Sequence, residues 1–292
     1  MRTVPAKTIL TRTKDAMWFG AGYNMNLYRG CCHGCIYCDS RSDCYGVEDF
    51  GTVRAKENAL PLLRDELSRK ARADVVSMGS MSDPYNPFEG QELLTRHALE
   101  LLAAYGFGVM IATKGSLVTR DIDVLREAAA QQPVVVALTV TTCDDALAAK
   151  LEPHAPPPSA RLEALRQLAA AGLFTGVLLM PVLPFLEDSA ENVGAVVRAA
   201  GRAGARFVYP MLGLTMRRGQ REHFYARLDE SFPGLSEKYR ARYGERYVCY
   251  APGTKALGAA FLQACGEFGL LGRMSEIVAA SRQGYDRQLS FL

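Results

Sequence analysis

Six short runs of apolar and β-branched residues recur along the chain, each separated from the next by a longer stretch with apolar residues at helical spacing. The runs fall at residues 24–28, 75–78, 108–113, 134–140, 175–180 and 206–210, and the helical patterns at 59–71, 95–105, 122–130, 160–171 and 190–203. Runs as apolar as VVVALTV and TGVLLM offer no polar face to water. They suit strands covered on both sides, which a parallel sheet flanked by helices provides. Six strand–helix units in about 190 residues predict an α/β fold, a partial (β/α)6 TIM-like barrel. A doubly wound open sheet satisfies the same alternation. Gly172 and Gly204 each follow a helical pattern and precede a strand, as helix-ending glycines do. The proline-rich stretch 153–158 reads as a stiff loop inside the array.

After Gly213 only helical patterns remain, at 218–230, 235–243, 254–268 and 275–281. The expectation is a core domain at 1–215 and a C-terminal helical extension at 216–292 packed on it. Of the 292 residues 49% are hydrophobic and 22% charged, enough for a sizeable core without disulfides, and the net charge of +3 permits an anionic partner without demanding one. The N-terminus lacks an apolar stretch long enough for a signal peptide. The most apolar segment, 173–186, holds two prolines and is too short to span a bilayer. A cytoplasmic chain with no membrane partner is expected.

Eight cysteines in a reducing compartment point to metal more than to disulfides, and five of them lie between Cys31 and Cys44. The segment RGCCHGCIYCDS places Cys31, Cys35 and Cys38 at C-x3-C-x2-C spacing, directly after the first strand. Three thiolates on one tight loop can each hold one iron of a cubane cluster, leaving the fourth iron open to a small chelating molecule. Gly30 and Gly34 allow the loop to fold closely. Zinc is the alternative, with Cys31 or Cys32, Cys35 and Cys38 joined by His33 or Cys44. A second cysteine pair is missing, since Cys143, Cys249 and Cys265 stand alone.

This loop, with Tyr37 just before the last cysteine, resembles that of the radical S-adenosylmethionine superfamily. The succession NLYRGCCHGCIYC, SMSDPYNPFE, ATKGSLVTRDIDVL, LTVTTCDD, LEPHAPPPSARLEAL and GVLLMPVLPFLED is similar to the spore photoproduct lyase-like branch, some members of which are labelled DNA repair photolyases. The resemblance covers about residues 5–215. It implies a lyase or transferase that uses a 4Fe-4S cluster and S-adenosylmethionine to make a 5′-deoxyadenosyl radical, with flavodoxin or ferredoxin as electron donor. Cys31, Cys35 and Cys38 would ligate the cluster, and the backbone at Tyr37 would contact the adenine. Gly79 and Ser80 would meet the methionine amine and Lys114 its carboxylate. Thr139 and Thr141 would face the ribose, and the family pattern places an arginine at Arg161. These positions lie at or after predicted carboxyl ends of strands, where a β/α barrel builds its site.

The substrate implied is a nucleic acid or nucleotide, with a peptide or small metabolite as the alternative. A non-catalytic zinc and nucleic-acid-binding module is the reading from another class. Two departures bear on this. Residues 77–85 hold no cysteine where spore photoproduct lyase keeps its hydrogen donor, and Asp39 replaces a tyrosine that follows the last cluster cysteine there. Cys143 is the remaining candidate donor. The segment from Asp83 to Phe88 is either a base-stacking surface or a rigid turn. The tail QLSFL, from Gln288 to Leu292, resembles peptides that dock on the bacterial sliding clamp.

Overall fold

The computed structural model describes residues 1–14, 17–70 and 72–285, so the tail from Gln288 to Leu292 lies outside the described residues. Six strands form the expected sheet: β1 (Tyr23–Met25), β2 (Val75–Met78), β3 (Gly108–Thr113), β4 (Val134–Thr139), β5 (Phe174–Leu179) and β6 (Phe207–Pro210). Each is parallel to the next, and their order across the sheet is their order along the chain. A doubly wound sheet would reverse that order at a switch point. No reversal occurs, so the partial barrel is the fold formed.

Both edges of this open barrel are covered. Leu10–Arg12 runs antiparallel to β1. Beyond β6, Leu271 forms a parallel bridge to Phe207, with the Val208 N–H donating to its carbonyl at 3.0 Å and its own N–H to Arg206 at 3.1 Å. An uncovered edge would present a row of unpaired backbone groups.

Alternate residues on the strands face opposite layers. Val76, Met78, Val109, Ile111, Val136, Leu138, Val177 and Val208 pack outward against α1 (Ala59–Ser68), α2 (Leu94–Ala104), α3 (Ile122–Ala129), α4 (Pro158–Ala170) and α5 (Ala190–Arg202). Val75, Met110, Val135, Leu178 and Phe207 turn inward. There they meet Phe19, Ala21 and Ile277, and these apolar side chains fill the barrel interior from Val75, Val135 and Phe207 at the amino ends of their strands to Leu178 near the end of β5. Chemistry is left to the carboxyl ends.

The first strand is shorter than the run at 24–28 suggests. After Met25 the chain leaves the sheet, and Tyr28–Arg29 pairs instead with Arg54–Lys56, which also pairs with Arg2–Val4. The reading of residues after Gly213 as helices alone is corrected as well. Besides α6 (Gln220–Ser231), α7 (Leu235–Tyr243), α8 (Thr254–Phe268) and α9 (Met274–Arg282), the strands Gly213–Thr215 and Val248–Tyr250 pair antiparallel. Their register sets Leu214 opposite Cys249, and both side chains bury against Phe224 and Tyr239. Gly172 and Gly204 follow α4 and α5 as expected. Among the described residues no helix is long and apolar enough to cross a membrane.

Phe207 joins the inner layer to the sheet edge, fully buried with ring centroids 5.7 Å from Phe174 and 5.5 Å from Phe19. Phe207→Ala is expected to cost about 3–5 kcal/mol. Urea unfolding measures this, and a loss below about 1 kcal/mol would contradict the described packing.

Candidate active site

The three-cysteine loop follows Tyr28–Arg29 and is held from several directions. The Cys31 N–H donates to Phe50 at 2.8 Å, Ile36 N–H to Leu151 at 2.9 Å, and His154 N–H to the His33 carbonyl at 3.1 Å. Gly30 has φ +81°, and a Cβ there would lie 2.4 Å from the Thr52 carbonyl oxygen, so the close approach requires glycine. Ile36 and Tyr37 bury among Phe224, Tyr225 and Tyr239, and Gln220 donates its side-chain amide to the Tyr37 carbonyl at 3.1 Å.

Cys35 is buried, while Cys31 and Cys38 are partly so. Burial pushes the thiols of Cys35 and Cys38 upward; the Lys114 charge opposes that shift at both. A set of soft donors held in so little water calls for a cationic centre. On the same loop the buried Nε2 of His33 has no hydrogen-bond partner. Among the described residues no group of three His, Cys, Asp or Glu side chains is placed to hold a single metal ion. A cubane cluster binds each of its thiolates on a separate iron, and three cysteines on one loop supply them. The donor set therefore fits an iron–sulfur cluster. Cys32 packs against the main core, and Cys44 is exposed.

Next to this loop lies a buried charge network that sequence reading missed. Glu152, 3% exposed, accepts from the Tyr37 hydroxyl and from Arg161, and its carboxylate is 3.7 Å from the Lys114 ammonium. Arg161 also donates to the carbonyls of Pro156 at 2.7 Å and Thr139 at 3.0 Å. Its guanidinium is thus engaged by the protein. Lys114 is 15% exposed and lies 5.4 Å from the Tyr37 ring centroid. Burial would lower its pKa, but the charges of Cys35 and Glu152 more than reverse that. Glu152 could have drawn notice as a carboxylate between a helix and a proline-rich loop, yet a lone glutamate has no spacing signal.

A second buried carboxylate, Glu187, accepts from the Thr141 hydroxyl at 2.6 Å and from the Leu183 N–H at 2.9 Å. Burial raises it from the ordinary 4.5 to about 8 despite those bonds. Asp83 shows the opposite balance. Burial would raise it, but His33, 3.4 Å away, the Lys114 N–H at 2.7 Å and the Thr113 hydroxyl at 2.5 Å hold it at about 2. The segment from Asp83 to Phe88 is a rigid turn. Asp83 also accepts from the Tyr85 N–H, and the buried Tyr85 donates its hydroxyl to Asp121 at 3.0 Å.

Gly79 ends β2 at φ +94°, where a Cβ would stand 1.9 Å from the Ala112 carbonyl oxygen, and Ser80 beside it is exposed. Thr139 is buried at the end of β4, and Cys143 is exposed beyond it. The structure thus brings Tyr37, Lys114 and Arg161 together on Glu152, turns Thr141 to Glu187, and leaves Cys143 facing solvent.

Residues 25–194, more than half of the chain, match the Radical SAM superfamily. The chain belongs to that superfamily. It is accordingly an enzyme that works with a 4Fe-4S cluster and S-adenosylmethionine. An uncharacterised protein of Mycobacterium tuberculosis is 37% identical over 247 residues, 82% of this chain and 72% of that one. Another, from Methanocaldococcus jannaschii, is 32% identical over 178 residues, covering 60% and 66%. Among solved structures, spore photoproduct lyase complexed with dinucleoside spore photoproduct superposes with a TM-score of 0.64 at 18% identity, over 90% of this chain and 77% of that chain. The radical S-adenosylmethionine methyltransferase TsrM from Kitasatospora setae, with cobalamin and a 4Fe-4S cluster bound, gives 0.56 at 13%, over 91% and 62%. At these identities the likeness is one of fold.

Glu187 supplies a test of the buried site. Between pH 4.5 and about 8 the unfolded chain ionises this carboxyl while the folded one keeps it protonated, so its contribution to stability falls as pH rises. Glu187→Gln is therefore expected to gain on the parent chain steadily from pH 5 to pH 8 in urea unfolding. Stability curves that stay parallel over that range would refute the assignment.

Proposed function

We propose that this radical SAM enzyme holds its cluster through Cys31, Cys35 and Cys38 and acts on a nucleic acid or nucleotide. The cluster and S-adenosylmethionine, when bound, supply electron transfer and a 5′-deoxyadenosyl radical that removes a hydrogen atom from a substrate carbon. The observation that carries the reading is the adjacency of the three-cysteine loop to the Lys114–Glu152–Arg161 network at the carboxyl ends of the strands.

Each side chain has a part in this reading. Lys114 pairs with Glu152 at 3.7 Å without a close hydrogen bond, and so keeps donors for the methionine carboxylate. Gly79 gives the backbone room to approach, and exposed Ser80 is placed for the amine. Thr139 remains the ribose candidate. Arg161 and Thr141 act through Glu152 and Glu187 and do not touch the cofactor themselves. The Tyr37 side chain anchors the loop on Glu152, leaving its backbone for the adenine. Cys143, exposed past β4, is the candidate hydrogen donor, and a flavodoxin or ferredoxin is the electron source. The substrate class is supported by the shared fold with spore photoproduct lyase, whose structure holds a dinucleoside.

Anaerobic purification tests the cluster assignment. Cys31→Ala, Cys35→Ala and Cys38→Ala are each expected to lose iron, acid-labile sulfide and dithionite-dependent 5′-deoxyadenosine formation, whereas Cys32→Ala and Cys44→Ala keep all three. A colourless parent protein with one zinc would overturn the proposal.

A further inference from the structure

The barrel mouth has a rim that the cofactor chemistry does not use. It is built from the 3-10 turns Asp39–Arg41 and Asp43–Tyr45, which follow Cys38 directly, and from the chain around α6, which packs against them. Residues 216–246 carry eight Lys or Arg against five Asp or Glu, a surplus equal to the whole net charge of +3.

Arg41 is unusual within it. Among the described residues its guanidinium makes no ion pair and no hydrogen bond, and its buried Nε has no partner. It rests on the Phe50 ring at 5.0 Å, and its charge is felt at Cys38. His223 on α6 is partly buried beside it, its pKa lowered by burial and by the charges of Arg41 and Arg227. A guanidinium with a buried nitrogen left without a partner is stable when an anion joins it.

Across the same turns, Arg217 packs between Tyr45 and Tyr247, with ring centroids 5.6 and 4.9 Å from its guanidinium. Arg217 is tied to Asp39 at 3.6 Å and donates to the Tyr247 hydroxyl at 2.8 Å. It is therefore a brace that orients Tyr247, which is 46% exposed. An unpaired arginine and an exposed, braced aromatic ring on one rim offer the ionic and the stacking contact that the phosphates and bases of a single strand take.

We propose that this rim binds single-stranded DNA, with Arg41 contacting a phosphate and the Tyr247 ring stacking on a base. The inference rests on the nucleic-acid reading above and assigns the residues that would deliver a strand to the barrel mouth.

The test uses cluster-loaded protein and a fluorescent single-stranded DNA oligonucleotide, titrated at several salt concentrations. Arg41→Gln is expected to weaken binding and to reduce the slope of log K against log salt by about 0.7, and Arg41→Lys to restore that slope. Tyr247→Ala is expected to weaken binding about tenfold with the slope unchanged. Iron content, measured in parallel, shows that each variant keeps its cluster. If all three variants bind the strand with parental affinity and slope, the rim assignment is overturned while the nucleic-acid reading stands. If the loaded parent protein binds no single-stranded oligonucleotide, the rim assignment falls, and the nucleic-acid reading falls with it only if duplex DNA, RNA and nucleotides also fail to bind.

Discussion

The site depends on one buried carboxylate. A charge at Glu152 costs several kcal/mol to remove from water unless cations and hydrogen bonds compensate it. Compensation arrives from three separate stretches of chain: Tyr37 on the cysteine loop, Lys114 after β3 and Arg161 in the first turn of α4. Arg161 reaches Glu152 because α4 begins at Pro158, a residue suited to a helix start, and its other N–H groups then close on Pro156 and Thr139. The barrel strands and the cysteine loop are therefore tied together at this carboxylate.

The barrel divides its interior to make this possible. Near the amino ends of the strands, Phe19, Phe207 and Ile277 exclude water and bring the C-terminal helix α9 into the core. Toward the carboxyl ends the side chains change character, to Lys114, Thr139, Thr141 and Glu187. A polar layer of that kind survives in a fold only where each group finds a partner or a ligand. Glu187 finds Thr141 and the Leu183 N–H and is held protonated, so the layer carries one fewer buried charge.

How much of this was legible follows from what leaves a pattern. Strands β2 and β3 match the apolar runs at 75–78 and 108–113 residue for residue, because both faces are covered and apolar residues predominate, with only Ser77 and Thr113 polar. The strands Leu10–Arg12, Gly213–Thr215 and Val248–Tyr250 are three residues each and lie at edges, too short to show a period. The cysteine loop stands out because its spacing is itself a donor pattern. Glu152, Glu187 and Arg41 were not singled out, since a solitary charged residue looks the same in sequence whether it meets solvent or a partner far along the chain. Arg161 was noticed by resemblance, but its engagement by Glu152, Pro156 and Thr139 belongs to tertiary structure.

The superfamily match ends at residue 194, yet the cysteine loop leans on residues beyond it. Gln220 holds the Tyr37 carbonyl, and Phe224, Tyr225 and Tyr239 cover Ile36 and Tyr37. The same helix, α6, carries His223 toward Arg41 on the rim. One helix thus packs on the cysteine loop and also borders the turns that carry Arg41. A displacement of α6 would act on both together.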